Sequence, residues 1–417
     1  MRKILLFLLL LFFLVPKEVW AATAEYSVTV GPEETVYTGR NFLPDSSYFT
    51  YTYQGKLYGI LPNDHSYRTN QPLSSDINYV EALSGMLPGA GQNFDSFGAW
   101  LVSAYVDPDG TIHGFYAGEP KANIVGGIYG YWHSSVGYAF SKDGGKTWTK
   151  PNYPNNEIIR NADFNIINGN PDVKVVKAAD DGKKYLYAYY FQVRGQNNGT
   201  RLARSLLSDK GKPGTWKKYY CEEDNCSFSE PGLDGKDSKI GNLAGDPFIS
   251  YNTYLDKYLA TDGSISVIPP DKIGKLNFKV SSDAIHWEIL DADFNIENLG
   301  VPPLHYGKRY TSIISLDGDS TRSGKSFWLY YILRCEDSCG TNQTVRKLHR
   351  RKITLNKNEQ ATKPGDANGD GKVDGVDYVI WLNHYNQNTD KGVSEGDFNK
   401  DDKVDGLDYV IWVNNFE

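Results

Sequence analysis

From about residue 25 to residue 355 the chain runs as short segments in which apolar and polar positions alternate or apolar runs stand unbroken. Examples are "AWLVSAYVD", "TIHGFYAG", "SVGYAFS", "KYLYAYYFQV", "DPFISYN", "KYLATDG" and "SFWLYYIL". Most are rich in Tyr, Phe, Val and Ile, and Gly, Asp, Asn or Pro bounds them, which predicts strands and tight turns. No long stretch carries helical periodicity. This predicts an all-β domain of about 330 residues, too large for one simple sandwich, and a radial repeat of four-stranded sheets is the natural solution.

The pattern changes near the C-terminus. Residues 356–364, "NKNEQATKP", are polar and predict a linker. Beyond them, "DANGDGKVDGVDYVIWLNHY" (366–385) and "DFNKDDKVDGLDYVIWVNNF" (397–416) repeat one theme, an acidic loop running into an apolar helix. A calcium loop needs oxygen ligands at positions 1, 3 and 5, a main-chain carbonyl at 7, then ligands at 9 and 12. The first repeat supplies Asp366, Asn368, Asp370, the Lys372 carbonyl, Asp374 and Asp377. The second supplies Asp397, Asn399, Asp401, the Lys403 carbonyl, Asp405 and Asp408. Both loops together predict two Ca2+ ions. Gly371 stands at position 6 of the first loop and Asp402 at position 6 of the second, so weaker binding is expected there.

A loop plus exiting helix, twice, with no entering helix and Asp at position 12, closely resembles a type I dockerin over residues 365–417. The resemblance implies a small all-α calcium-binding module that docks onto a cohesin of a scaffold or cell-surface protein, in two orientations, in a prokaryote. Positions 10 and 11, which help choose the cohesin in that family, are Gly375–Val376 and Gly406–Leu407 here. A calcium-stabilised terminal module with no cohesin partner is the alternative.

In the strand-rich region, "SKDGGKTW" (141–148) fits S-x-D-x-G-x-T-W and resembles the Asp-box of sialidase-like β-propellers. Asp143 can bond turn amides, Gly145 permits positive φ, and Trp148 packs beneath. Degenerate copies follow in "SDKGKPGTW" (208–216) and "SSDAIHW" (281–287). Trp148, Trp216 and Trp287 are 68 and 71 residues apart, which predicts a β-propeller of five blades, with six as the alternative. The region resembles more loosely the five-bladed glycoside hydrolases of the arabinanase/xylosidase and invertase kind, through "NPDVKVV" (170–176) and "GDPFISY" (245–251).

Dockerins are usually attached to carbohydrate-active proteins, so both resemblances point to a polysaccharide or other glycan as substrate. Glycosidic hydrolysis needs carboxylates that converge, one as acid and one as base or nucleophile. Carboxylates abutting apolar strands are the candidates: Asp95, Glu119, Asp172, Glu230 and Asp246. By analogy with the five-bladed hydrolases, Asp95 is the expected base, Glu230 the general acid and Asp172 a pKa-tuning carboxylate. A sialidase would instead pair Tyr310 with Glu230 as its base and use Arg309 on the substrate. A non-catalytic glycan-binding or adhesive propeller is a further alternative.

Composition narrows this. "MRK" followed by "ILLFLLLLFFLV" and "VWA" reads as a signal peptide over residues 1–22, so the mature chain is expected to be secreted or held at the cell surface with no stable membrane span. The four segments are thus 1–22, 25–355, 356–364 and 365–417. Of the net charge of −7, residues 365–417 carry −8, from twelve Asp or Glu against four Lys. No basic surface remains to neutralise phosphates, which excludes nucleic acid as a partner. Aromatic residues make up 14% of the chain, which suits sugar faces and β-cores alike. Cys221 with Cys226, and Cys335 with Cys339, are close enough in sequence for two local disulfides, with a four-thiolate zinc site as the alternative.

Overall fold

The computed structural model describes residues 26–39, 43–90, 93–120, 134–161, 172–176, 182–192, 199–243, 247–261, 278–290, 292–293, 306–335, 346–357 and 363–417. The expected leader and Cys339 lie outside them. The chain divides into two compact units, one spanning Tyr26–Asn356 and one that holds Lys357–Glu417.

The larger unit opens with β1 (Tyr26–Val30) and β2 (Glu34–Thr38). Blade one follows as β3 (Phe49–Tyr53), β4 (Lys56–Leu61), β5 (Tyr67–Thr69) and β6 (Glu81–Ala82). Blade two is β7 (Gly98–Val106), β8 (Ile112–Glu119), β9 (Ser135–Ser141) and β10 (Glu157–Ile159). Blade three has five strands: β11 (Asp172–Val176), β12 (Tyr185–Gln192), β13 (Gly199–Leu206), β14 (Lys217–Glu222) and β15 (Asn225–Pro231). Blade four is β16 (Phe248–Asn252), β17 (Lys257–Thr261), β18 (Phe278–Ser281) and β19 (Glu288–Ile289). After β20 (Ala292–Asp293), blade five is β21 (Tyr306–Ser315), β23 (Ser326–Cys335) and β24 (Arg346–Lys357), with the short β22 (Arg322–Ser323) crossing over to pair with β16.

These are five sheets, and β3, β7, β11, β16 and β21 each pack on the next, the last returning to the first. The ring closes through the N-terminal strands: β1 and β2 complete the blade built from the far end of the unit, β2 pairing antiparallel to β24. The protein is therefore a five-bladed β-propeller followed in sequence by two helices.

The spacing of the tryptophans has a packing cause. Each is buried in the connection between the third and fourth strands of its blade, and it leans on the blade before it. Trp216 meets Phe115 edge-on at 5.7 Å between ring centres, and Trp287 meets Tyr189 at 6.2 Å. In blade two, the Tyr51 hydroxyl of blade one donates to the Gly144 carbonyl of the turn. One large ring in each of blades two, three and four gives the tryptophan spacing.

The turns themselves are held by short side chains. Asp143 Oδ1 accepts the Lys146 and Thr147 amides at 3.1 and 2.9 Å, and Ser141 Oγ accepts Gly145 N at 2.9 Å. In the shortened copy, Asp283 Oδ1 takes the Ile285 and His286 amides and Ser281 Oγ takes Ala284 N. Ala284 there occupies the positive φ, +65°, that Gly145 occupies at +82°. Trp148 Nε1 donates to the Gly145 carbonyl at 2.9 Å, whereas Trp287 Nε1 has no acceptor among the described residues. Deleting one residue keeps the turn and breaks the tryptophan's bond.

Candidate functional site

The inner strands all begin at one end of the axis. At that end of blade two, Gly98 of β7 pairs with Glu119 of β8, and the Phe97 amide donates to the Glu119 carbonyl at 2.8 Å. Glu119 is half-buried, and burial alone pushes its carboxyl up to about 7. Asp172 is the first residue of the inner strand β11. Asp246 lies outside the described residues. The fold therefore brings Glu119 and the start of β11 to the same end of the ring.

Asp95 has other work. It lies just before β7 and is 1% exposed. Its Oδ2 accepts Lys150 Nζ at 2.8 Å and the Tyr116 hydroxyl at 3.1 Å, and Asn156 Nδ2 donates to that hydroxyl at 2.9 Å. Gly118 makes room for it: a Cβ there would stand 3.1 Å from the Asp95 Cβ and 2.3 Å from the Phe94 ring. The carboxylate expected as base is thus sealed beneath a lysine and ties elements of blade two together.

Glu230 is also elsewhere. It lies on β15, the outermost strand of blade three, opposite Lys218, and its Oε2 accepts the Lys236 amide at 3.1 Å. The Cys221–Cys226 disulfide staples the β14–β15 hairpin at the rim of the blade. The sequence does not show that blade three has a fifth strand, so the stapled hairpin reads as a cover over the axis when it is an edge. The residue expected as general acid therefore stands at the outer edge of its blade. Tyr310, the nucleophile of the sialidase alternative, is on the inner strand of blade five, in a β-bulge at φ +57°, packed against the cluster of Val36, Tyr48 and Ile332.

Sequence reading missed Glu157. It is 1% exposed on β10, and its carboxyl is raised, with burial outweighing Arg160 at 2.7 Å. Arg160 also grips Asp234 at 2.9 Å, joining blades two and three. No signal marked it, because "NNEIIR" looks like any polar turn entering a strand.

In the smaller unit, α1 (Gly375–His384) and α2 (Gly406–Asn415) each start from an aspartate N-cap, Asp374 and Asp405. Asp377 and Asp408 reach back to the cap amides at 2.8 Å, completing capping boxes. Each also takes two amides from its loop start, Ala367 and Asn368 to Asp377, Phe398 and Asn399 to Asp408. Asp366 takes the Gly369 and Gly371 amides, and Asp397 those of Asp401 and Asp402. The two repeats lock reciprocally: Trp381 Nε1 donates to the Asp405 carbonyl and Trp412 Nε1 to the Asp374 carbonyl, both at 3.0 Å. Val376, Val379, Leu382 and Tyr385 on one helix, and Leu407, Val410, Val413 and Phe416 on the other, remain exposed at equivalent positions.

The donor set suits a hard divalent cation. Asp366, Asp377, Asp397 and Asp408 are 2% exposed or less, and among the described residues no Lys, Arg or His pairs with them. The side chains are not drawn into a ready cage: among the described residues no three His, Cys, Asp or Glu groups converge for a metal, and Asn368 Nδ2 bonds Asp370 Oδ2 at 2.9 Å. The fit lies in ligand type and buried negative charge.

The family model for the dockerin type I domain matches residues 364–417. No curated protein matches the chain. Among solved structures, a Bombyx mori GH32 beta-fructofuranosidase is similar at 13% identity and TM-score 0.43, over 78% of this chain and 62% of that one. The chain thus spans less than two thirds of that enzyme's length. A B. megaterium levansucrase mutant shows 11% identity, TM-score 0.42, and coverage of 80% and 86%. A GH43 beta 1,3 galactosidase shows 10%, 0.41, and coverage of 76% and 94%. At such TM-scores the blade count rests on the sheets of this chain itself. Dockerin type I domains are generally calcium-binding. The C-terminal segment, residues 364–417, is a dockerin type I domain.

Proposed function

We propose that the propeller hydrolyses a glycosidic bond of a polysaccharide at the end of the axis where the inner strands begin. The dockerin, holding two Ca2+ ions, carries it onto a cohesin outside a prokaryotic cell after removal of the leader at residues 1–22. The observation that carries the catalytic reading is Glu119, a carboxyl at that mouth raised to about 7 by burial. Such a group stays protonated near neutral pH and is suited to donate to a leaving oxygen. Asp172, opening the inner strand of the next blade, is the opposing carboxylate, as base or nucleophile according to its distance from Glu119. Asp95 then positions the segment before β7.

Turnover on a polysaccharide panel tests this. Glu119→Gln and Asp172→Asn are each expected to lower the rate by about 10²–10⁴-fold. Because the acid works protonated, wild-type activity falls as pH rises through about 7. If both variants keep full turnover, or no polysaccharide is cut, a glycan-binding propeller replaces the enzyme. The support for docking is the domain match together with the exposed apolar faces of α1 and α2. Capture by type I cohesins, lost in chelator, checks it.

A further inference from the structure

Blade one carries a groove of about 650 Å³ away from the mouth. It is lined by the start of β4, where the β3–β4 hairpin turns, so it lies toward the C-terminal end of inner strand β3. Lys56, Tyr58, Asn70, Gln71, Tyr79 and Glu81 form its working surface. The volume falls in the range of small-ligand sites.

Its frame is fixed before any ligand arrives. Arg68 joins Glu81 at 2.5 Å and the Gly144 carbonyl of blade two at 2.6 Å, and lies 5.1 Å over the Tyr58 ring. Gln71 Oε1 accepts the Asn78 and Tyr79 amides at 3.1 and 3.2 Å, which shapes the loop and leaves its Nε2 hydrogens for another acceptor. The Asn70 amide and the Lys56 ammonium line the groove without partners among the described residues. Tyr79 is 47% exposed, with its hydroxyl near Glu81 at 3.4 Å.

The chemistry is therefore amide donors and acceptors, a carboxylate acceptor and an open aromatic ring. The Arg68 charge is taken up by Glu81, and the exposed Lys56 ammonium is then the lining's single uncompensated charge, a donor for hydroxyls rather than a field for a polyanion. Hydroxyl groups, which both donate and accept, match such a wall, and the Tyr79 ring matches the apolar face of a sugar. Glu81 is the one carboxylate among the lining residues and it is ion-paired, so no acid–base pair exists here to cleave a bond. We propose that this groove is a second glycan site, which binds a neutral oligosaccharide stretch without cutting it. The proposal does not depend on the catalytic reading.

The test uses the full chain carrying Glu119→Gln, so that ligand persists. Titration calorimetry is run with cellohexaose, xylohexaose, mannohexaose and arabinohexaose. At least one hexaose is expected to bind, with Tyr79→Ala weakening that binding about tenfold or more. Asn70→Ala, on an exposed side chain, is expected to weaken it about threefold and guards against a folding defect in the first variant. Hydrolysis in the otherwise native chain is expected to survive Tyr79→Ala. The proposal is overturned if no hexaose binds, or if binding is the same in both groove variants. Turnover in Glu119→Gln is scored apart, so loss of the enzyme reading leaves this result legible.

Discussion

The propeller and the dockerin both bury carboxylates, and they neutralise them differently. In the propeller, Asp95 meets Lys150 at 2.8 Å. Asp237 gathers Arg201 at 3.3 Å, Lys218 at 3.6 Å, the Tyr190 hydroxyl and Gln192. Among the described residues Glu119 has no such cation, and burial raises its carboxyl to about 7 instead. In the dockerin, four aspartates are buried with only amide partners, around a core of little more than Ala367, Trp381, Phe398 and Val404. An unpaired buried charge costs several kcal/mol, and a segment this short has little apolar surface to offset it. The propeller completes its electrostatics from its own side chains. The dockerin leaves that to a cation.

The largest effect should follow from chelation. With EGTA, the amides of α1 and α2 are expected to lose hydrogen-exchange protection while the strands of residues 26–356 keep theirs. Protection of both helices that ignores the chelator would erase the contrast. Next in size is Lys150→Ala, which strands Asp95 and should cost about 3–5 kcal/mol in denaturant unfolding of the propeller. A cost below about 1 kcal/mol would mean the lysine is not what neutralises the site.

Glu119→Gln sharpens the middle case. Because its carboxyl is raised, the folded state holds the proton more tightly than the unfolded one between the usual 4.5 and about 7. Wild-type stability therefore falls as pH rises through that window, and the amide removes the loss. The variant should gain up to about 3 kcal/mol at pH 8 and nothing at pH 4. An equal shift at both pH values would show that packing, not ionisation, decides. The smallest effect separates the two calcium loops. Lys400 and Asp402 hold φ of +61° and +65°, where the first loop has Gly369 and Gly371 at +71° and +87°. Asp402→Gly should relieve about 1 kcal/mol and tighten the second site about fivefold, read by calcium titration. An unchanged second affinity would mean the strain is released in another way.

The dockerin was almost wholly legible because its chemistry is local. Every cap, acidic loop and helix lies within one loop-helix repeat, and a spacing rule reads it directly. The blade count was legible for a related reason: one seam tryptophan in each of blades two, three and four leaves a period in the chain. The surroundings of the candidate carboxylates were not. Asp95 and Glu230 look like other strand-border acids in sequence, and what distinguishes them is Lys150, 55 residues away, and a fifth strand at the rim. Glu119 stood among the candidates, but nothing near it in sequence announced that it would be half-buried beside the start of β7.

The sequence by itself determined the strands, the turns, the tryptophan period and the two acidic loop-helix repeats, because each depends on residues within a few positions of one another. Only the tertiary structure decided which acid is paired, which is raised by burial and which faces the rim. Those outcomes depend on burial and on cations brought from distant strands, and neither is written in local order.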